Sequence, residues 1–491
     1  MFRILSLFIC AASLPHPGIC SVPSSGFDPT PARVLAGELV KALNSKNSSE
    51  IREFVNKHVL PNAQIDQRVS RWTDLASQGA PFKIVRDLKQ TDSTIDVILV
   101  DKNGARIDLT VHFESSPTAM ISGIQLAPAI VVEGSPPELR GWKDLRSLAK
   151  LILSDYHSPG VGIATIRNGV PQVAVAGYRG VNGKDAVTPD DIWSIGSIGK
   201  PICSTVIGLL IEQGKLRWDE TLKQALPGVQ MDPGFSQVTL EQIMQNRGGM
   251  PEDLAFRRSE VDRIAGKAKT PVEVRELYMR DILGRKPIAA PGTRFVYSNS
   301  GYALLAHIAE QVTGKPYESL VRQMVFKPLG MTHSYTNADT LPKARPAGHI
   351  DGPSGLEAAE MTGKIEWMFA GAGGGIFMSV GDLAKFGEAH LAGLNGHDGL
   401  MRAATVARLH RGLPEGPRGE RLYACGWGIE TLPGVEPFHG HNGSNGTMRA
   451  QLAIFPKASL VVVGIVNRGG EDVPAPGMAA VLAIAERYAP K

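Results

Sequence analysis

Ser197 and Lys200 stand three residues apart in the run Trp193-Ser-Ile-Gly-Ser-Ile-Gly-Lys200, where an apolar segment begins. Residues i and i+3 of a helix share a face, so the spacing predicts that the lysine amine lies one turn from the serine hydroxyl. A hydroxyl alone is a poor nucleophile, and a desolvated, neutral lysine can accept its proton. The chemistry this predicts is attack on a carbonyl carbon, with the positive end of the helix dipole where an oxyanion would form. The spacing is cheap, since Ser147 and Lys150 repeat it. There Leu145, Leu148 and Ile152 make the apolar stripe, and Ser147 is expected on the solvated face.

A second element is Tyr297-Ser298-Asn299, inside the run Pro-Gly-Thr-Arg-Phe-Val-Tyr-Ser-Asn-Ser-Gly-Tyr at 291–302. A phenol can relay a proton to a leaving group, and an amide can hold both a carbonyl and a lysine. Tyr335-Thr336-Asn337 has similar letters but falls in a turn-rich stretch. The third element is a basic or polar residue followed by Gly on a strand edging the pocket. His397-Asp-Gly, His410-Arg-Gly and His441-Asn-Gly all fit, and only the last leads directly into strands.

Other signatures are missing. The residues around Ser197 lack the first glycine of Gly-x-Ser-x-Gly, and no His-Glu-x-x-His occurs. His439 and His441 are expected to face opposite sides of their strand, so no shared metal is assigned to them. No organic cofactor is implied either. The Gly371-Ala-Gly-Gly-Gly375 run reads as close backbone packing. Cys203 and Cys425 read as buried small side chains, and Arg247 as a salt-bridged surface residue. Asn442-Gly-Ser and Asn445-Gly-Thr spell glycosylation acceptors beside the catalytic strand and read as coincidence.

The three elements in this order resemble the serine β-lactamase and penicillin-binding-protein superfamily. The likeness is closer to its class C branch, with its esterases and D-alanyl-D-alanine carboxypeptidases, and covers residues 142–490. Thr239–Pro251, Gly374–Phe386, Tyr423–Ile429 and Gly440–Gly443 add to the set. The resemblance implies Ser197 as nucleophile, Lys200 as base or base partner, Tyr297 in proton transfer, and Asn299 holding substrate and lysine. It implies an oxyanion hole from the N–H groups of Ser197 and Ser444, with Gly443 and His441 on the substrate side. His441 stands where many lactamases carry a lysine, so a fixed charge for a substrate carboxylate is missing. The expected function is hydrolysis of esters, amides or D-amino-acid peptides through an acyl-serine. A class C-type β-lactamase and a non-catalytic penicillin-binding or sensor protein are the alternatives.

The elements that must position these groups are also patterned. Ile202 to Leu210 forms an apolar helix ending at Gly214, Gln451–Phe455 and Leu460–Val466 are strands, and Pro476–Tyr488 is a closing helix. The expected fold is α+β: an antiparallel sheet flanked by helices plus an all-helical region. Before it, residues 27–127 run helices first and strands after. Val34, Leu35, Leu39, Val40 and Leu43, then Ile51, Phe54, Val55 and Val59, have helical spacing; Ile95–Leu99 and Ile107–Phe113 alternate as a hairpin, and Ile121, Ile124 and Leu126 supply another strand. This small α+β domain resembles the cone-shaped nuclear-transport-factor-2-like family. Residues 128–141, with Pro128, Gly134, Pro136 and Pro137, read as a linker.

The chain has 491 residues, 52 of them Lys or Arg and 48 Asp or Glu, without long charge runs, which excludes a nucleic-acid-binding surface. Residues 1–20 carry Arg3, an apolar stretch from Ile4 to Leu14 and a Pro- and Gly-containing tail, the grammar of a signal peptide. The expectation is an exported protein with a small-molecule or peptide substrate and no integral membrane segment in the mature chain. Oligomeric state is left open, and acyl preference is assigned to loops around 250–290 and 338–370.

Overall fold

A computed structural model describes residues 31–59, 65–90, 94–102, 106–113, 120–128, 139, 141–250, 258–352, 355–359, 363–415, 421–432, 434–470 and 475–489. The expected signal segment at 1–20 and nearly all of the expected linker lie outside them. The chain divides into two compact units, one reaching Val131 and the other comprising Val132–Gly470 and Ala475–Lys491.

The first unit has three helices, Pro31–Asn44, Ser48–His58 and Ile65–Gly79, and a four-stranded antiparallel sheet in sequence order. Leu35, Leu39, Val40 and Leu43 are buried, whereas Val34 is 45% exposed, so the apolar stripe begins one residue later than its sequence pattern suggests. Asn47 caps the second helix by accepting from the Ser49 N–H at 2.9 Å. Strand Thr94–Val100 pairs with Arg106–Phe113, placing Ile95 opposite Val111 and Val97 opposite Leu109, all buried. Strand alternation sends that set to one face. Helix Ile65–Gly79 and strand Lys83–Gln90 were not anticipated. Their sequences, IDQRVSRWTDLASQG and KIVRDLKQ, carry too few apolar residues to set a period.

The second unit is built on an eight-stranded antiparallel sheet. Its strands run in the order 413–414, 422–423, 428–430, 438–444, 449–455, 460–466, 160–167 and 170–177. Arg449–Phe455 and Leu460–Val466 are buried at every residue, as central strands covered on both faces must be. Register shows what covers them. Gly464, opposite Ile163, approaches Gly477 of helix Pro476–Tyr488; Gly162, one residue along, approaches Val380 of helix Val380–Leu394 on the other face. Helices Gly199–Glu212, Pro271–Leu283 and Asn299–Thr313 share one body of core with helix Val380–Leu394 and the sheet face it covers. Among the described residues no helix is long and apolar enough to cross a membrane.

The look-alike motifs resolve locally. Ser147 closes a capping box, its N–H donating to Asp144 at 2.7 Å while its hydroxyl accepts from the Asp144 N–H at 3.0 Å. Thr336 of the second Tyr-x-Asn run is buried and accepts from Arg322 at 2.8 Å.

Candidate active site

Ser197 lies in a tight turn, Gly196–Ile198, between the short strand Trp193–Ser194 and helix Gly199–Glu212. The turn is held by main chain against main chain. Gly196 has φ +50°, and a Cβ there would run into the backbone of Ser444. A Cβ on Gly443 would collide with the Ile195 carbonyl and stand 3.0 Å from Ser197 N. Gly199 and Gly373 meet just below, so the Gly371–Gly375 run does pack backbone closely, under the turn that carries Ser197. This juxtaposition brings the Gly443–Ser444 backbone against the turn that carries Ser197.

Lys200 is fully buried at the start of the helix. Its Nζ is 3.2 Å from Ser197 Oγ and 2.5 Å from Asn299 Oδ1. It also sits 4.4 Å from the centre of the Tyr297 ring and 5.6 Å from that of Tyr302. A buried amine costs free energy unless its protons find acceptors, and Asn299 supplies one at short range. The arrangement can pass a proton between Ser197, Lys200 and a group arriving over Tyr297.

Tyr297 and Asn299 are aimed by the start of helix Asn299–Thr313. Ser298 caps it, accepting from Gly301 N–H at 3.1 Å, and its own N–H donates to Asn246 Oδ1 at 3.1 Å. The Val296 N–H donates to the Asn246 carbonyl at 2.7 Å. Arg247 is half-buried rather than a surface ion-pair residue: it donates to the carbonyls of Gly292, at 3.4 Å, and Pro414. It thereby ties the Tyr297 loop to the edge of the sheet.

His441 is 5% exposed, within strand Phe438–Ser444. Its Nδ1 lies 2.5 Å from the Asn442 carbonyl and its Nε2 3.1 Å from the Tyr423 hydroxyl. A carbonyl only accepts, so Nδ1 carries the proton and Tyr423 donates to Nε2. Burial first, then the charge of Lys200, pushes its pKa down to about 3. The rings of Tyr297, Tyr423 and His441 pack on one another at 6.0–6.4 Å between centres. Tyr423 was not singled out from sequence. Its only signal is that it opens the Tyr423–Ile429 stretch, which lies two strands away from the His-Asn-Gly run in the sheet.

His439 and His441 do not diverge as expected. Residues two apart in a strand share a face, and both turn into the protein. His439 ends a hydrogen-bonded chain drawn from separate elements. The Thr205 hydroxyl donates to the Pro201 carbonyl at 2.9 Å and lies 3.0 Å from His390 Nε2. His390 Nδ1 is 2.9 Å from His410 Nε2, and His410 Nδ1 is 3.1 Å from His439 Nδ1. With the Thr205 proton committed, each histidine is neutral and its tautomer is set: Nε2–H on His390 and His410, and Nδ1–H on His439. Burial lowers the pKa of His390 to about 3 and of His439 to about 4, and holds that of His410 well below its ordinary value.

Cys203 is buried, with its pKa pushed up to about 12 by desolvation, and Cys425 is raised likewise. Neither resembles a thiolate nucleophile. Among the described residues no group of His, Cys, Asp or Glu is arranged to hold a metal ion. Asn445 Oδ1 accepts from the backbone of Thr447 and Met448 at 3.0 and 2.9 Å, so its side chain serves the turn after the strand.

The Gly443 contact carries a prediction. Gly443→Ala should push the strand off the nucleophile turn and lower kcat by about 10²-fold, the cost of a displacement near 1 Å at a reacting centre. Steady-state kinetics beside a thermal melt checks this, and unchanged kcat would contradict the placement.

The family model for Beta-lactamase matches residues 145–487. Penicillin-binding protein 4 of Amycolatopsis lactamdurans is 25% identical over 328 residues, spanning 64% of this chain and 82% of that protein. A putative D-alanyl-D-alanine carboxypeptidase of Escherichia coli (strain K12) is 25% identical over 301 residues, 54% of this chain and 66% of that one. Among solved structures, the octameric penicillin-binding protein homologue from Pyrococcus abyssi superposes with a TM-score of 0.58 at 26% identity, covering 70% of this chain and 76% of that chain. With an antiparallel sheet flanked by helices and a match over more than half its length, the chain belongs to the Beta-lactamase family.

Proposed function

We propose that the protein is a serine hydrolase that cleaves esters, amides or D-amino-acid peptides through an acyl-serine intermediate. The observation that carries this reading is the buried Lys200 amine, 3.2 Å from Ser197 Oγ and held by Asn299 at 2.5 Å. In this mechanism Lys200 takes the Ser197 proton as Oγ bonds to the carbonyl carbon. The charge on the carbonyl oxygen is met by the N–H groups of Ser197 and Ser444. The bond to the leaving group then breaks, and the proton reaches that group by way of Tyr297. Water, activated by the same lysine, adds to the acyl carbon and frees the acid and Ser197. Asn299 positions the lysine and the substrate carbonyl.

An esterase or peptidase is favoured over a β-lactamase, because His441 is neutral and buried where a fixed cation would serve a β-lactam carboxylate. The test is turnover of a p-nitrophenyl ester beside a chromogenic cephalosporin, with intact-mass detection of the acyl-enzyme and Ser197→Ala as control. Ester turnover, a mass adduct on the wild type and none on the variant is the expected result. Faster cephalosporin turnover would make it a β-lactamase, and an adduct that never hydrolyses would make it a penicillin-binding or sensor protein.

A further inference from the structure

We infer that the leaving-group side of the site is a neutral aromatic box, made by Phe295, Tyr297, Tyr423 and His441, that selects leaving groups without a carboxylate. The inference rests on the acyl-serine reading and on Tyr297 delivering the proton. Whatever group receives a proton from Tyr297 must depart beside that ring. The rings around it are Tyr423, 6.4 Å away and edge-on, and His441 at 6.2 Å, with Phe295 packed on Tyr423 at 5.2 Å.

An imidazole in such a place could serve a carboxylate in two ways, as a cation or as an N–H donor. Both are closed here. The Nδ1 proton goes to the Asn442 carbonyl at 2.5 Å, and the Nε2 lone pair accepts the Tyr423 hydroxyl at 3.1 Å. The ring is 5% exposed, so it has no third direction in which to offer a proton to a ligand. Three neighbouring cations are held by other groups, and Arg294, next to Phe295 in sequence, is exposed to solvent. Arg421 lies 3.2 Å from Glu415 and 3.4 Å from Glu430, Arg247 donates to the Gly292 and Pro414 carbonyls, and Lys200 donates to Asn299. A carboxylate brought against these rings would lose its water without gaining a partner, a costly exchange. A phenol, an alcohol or an amine bearing no charge would bury its apolar surface there at no such cost.

Tyr423 is therefore a specificity-determining residue that acts through His441, by keeping the Nε2 position occupied. The test uses substrate pairs sharing one acyl group and one scissile bond and differing only in charge. Suitable pairs are an acyl-D-alanyl-D-alanine with its C-terminal amide, and a phenyl ester with the ester of 3-hydroxybenzoate. The neutral member of each pair should have the higher kcat/KM, by about 10-fold or more, a margin of about 1.4 kcal/mol. Tyr423→Phe should bring the ratio toward one, because the freed Nε2 lone pair can take a proton from solvent and turn an N–H toward the carboxylate, and His441→Lys should invert it. Because the ratio compares two substrates on one protein, a general loss of stability in either variant does not move it.

An equal or higher kcat/KM for the carboxylate member in the wild type overturns the inference while leaving the hydrolase reading intact. If that preference disappears in Arg247→Gln, Arg247 is the carboxylate site instead. If no member of either pair acylates Ser197 by intact mass, both the hydrolase reading and this inference fall.

Discussion

Lys200→Ala should lower the rate of Ser197 acylation by about 10⁴-fold, close to the floor set by Ser197→Ala. A positioned proton acceptor contributes about 10²–10⁴-fold alone. A nucleophile and its base act as a unit, so losing either costs nearly as much as losing both. Here the amine at 3.2 Å is the side chain that Ser197 Oγ bonds, and Lys200 is fully buried, so bulk water is a poor substitute. Lys200→Arg makes the diagnosis sharper. It keeps an N–H donor for Asn299, yet a guanidinium is always protonated and cannot accept the Ser197 proton. The arginine variant should therefore be about as inactive as the alanine variant. Single-turnover acylation followed by mass would show it. Activity above a tenth of wild type in either variant would rule Lys200 out as the base.

Acid should unfold the second unit over a narrow range. His390 and His441 have pKa values lowered to about 3 and His439 to about 4, and His410 is held well below its ordinary value. In the unfolded chain all of them titrate near about 6.5. Below that pH the unfolded state binds four protons that the fold refuses, so stability is fully present above about 6.5 and is lost as pH falls. Glu430 opposes this, since burial raises its carboxyl to about 7 and the fold then holds one proton that the unfolded chain lacks. Four less one leaves a net uptake of at most three protons on unfolding near pH 5.5, reduced further by Glu388 and Glu415, whose carboxyls burial also raises. At about 1.4 kcal/mol per proton per pH unit, stability should fall there by no more than about 4 kcal/mol per pH unit. Urea midpoints at pH 7.5, 6.5 and 5.5 measure it. A dependence below one proton per molecule would show that the histidine chain accepts protons in the fold.

Much of this architecture is written in local patterns. The closing helix spans Pro476–Tyr488, where a proline opens it and Met478, Val481, Leu482 and Ile484 line one side. Ser197 and Lys200 come together because three-residue spacing at a helix start leaves few other geometries. Other features have no such periodic trace. Helix Ile65–Gly79 buries Val69, Trp72 and Ala76 among polar neighbours, too sparse a pattern to mark a helix. The chain of His390, His410 and His439 joins one helix, the end of a second and a strand, and sequence distance hides it. The pairing of Tyr423 with His441 is likewise visible only once the sheet order is known. Arg247 reads as a salt-bridged surface residue in the sequence because its carbonyl partners, Gly292 and Pro414, lie far away along the chain.

The glycines around the Ser197 turn bear on how such a protein can be varied. Gly196, Gly199, Gly373 and Gly443 each leave room only for a hydrogen atom against a neighbouring main chain. Contacts of this kind ask nothing of the surrounding side chains, so the walls of the cleft can change chemical character while the Ser197 turn stays where it is. The mutational load falls instead on four codons, at which any amino-acid change adds at least a methyl group. A library meant to vary the cleft should spare those four codons and randomise the walls.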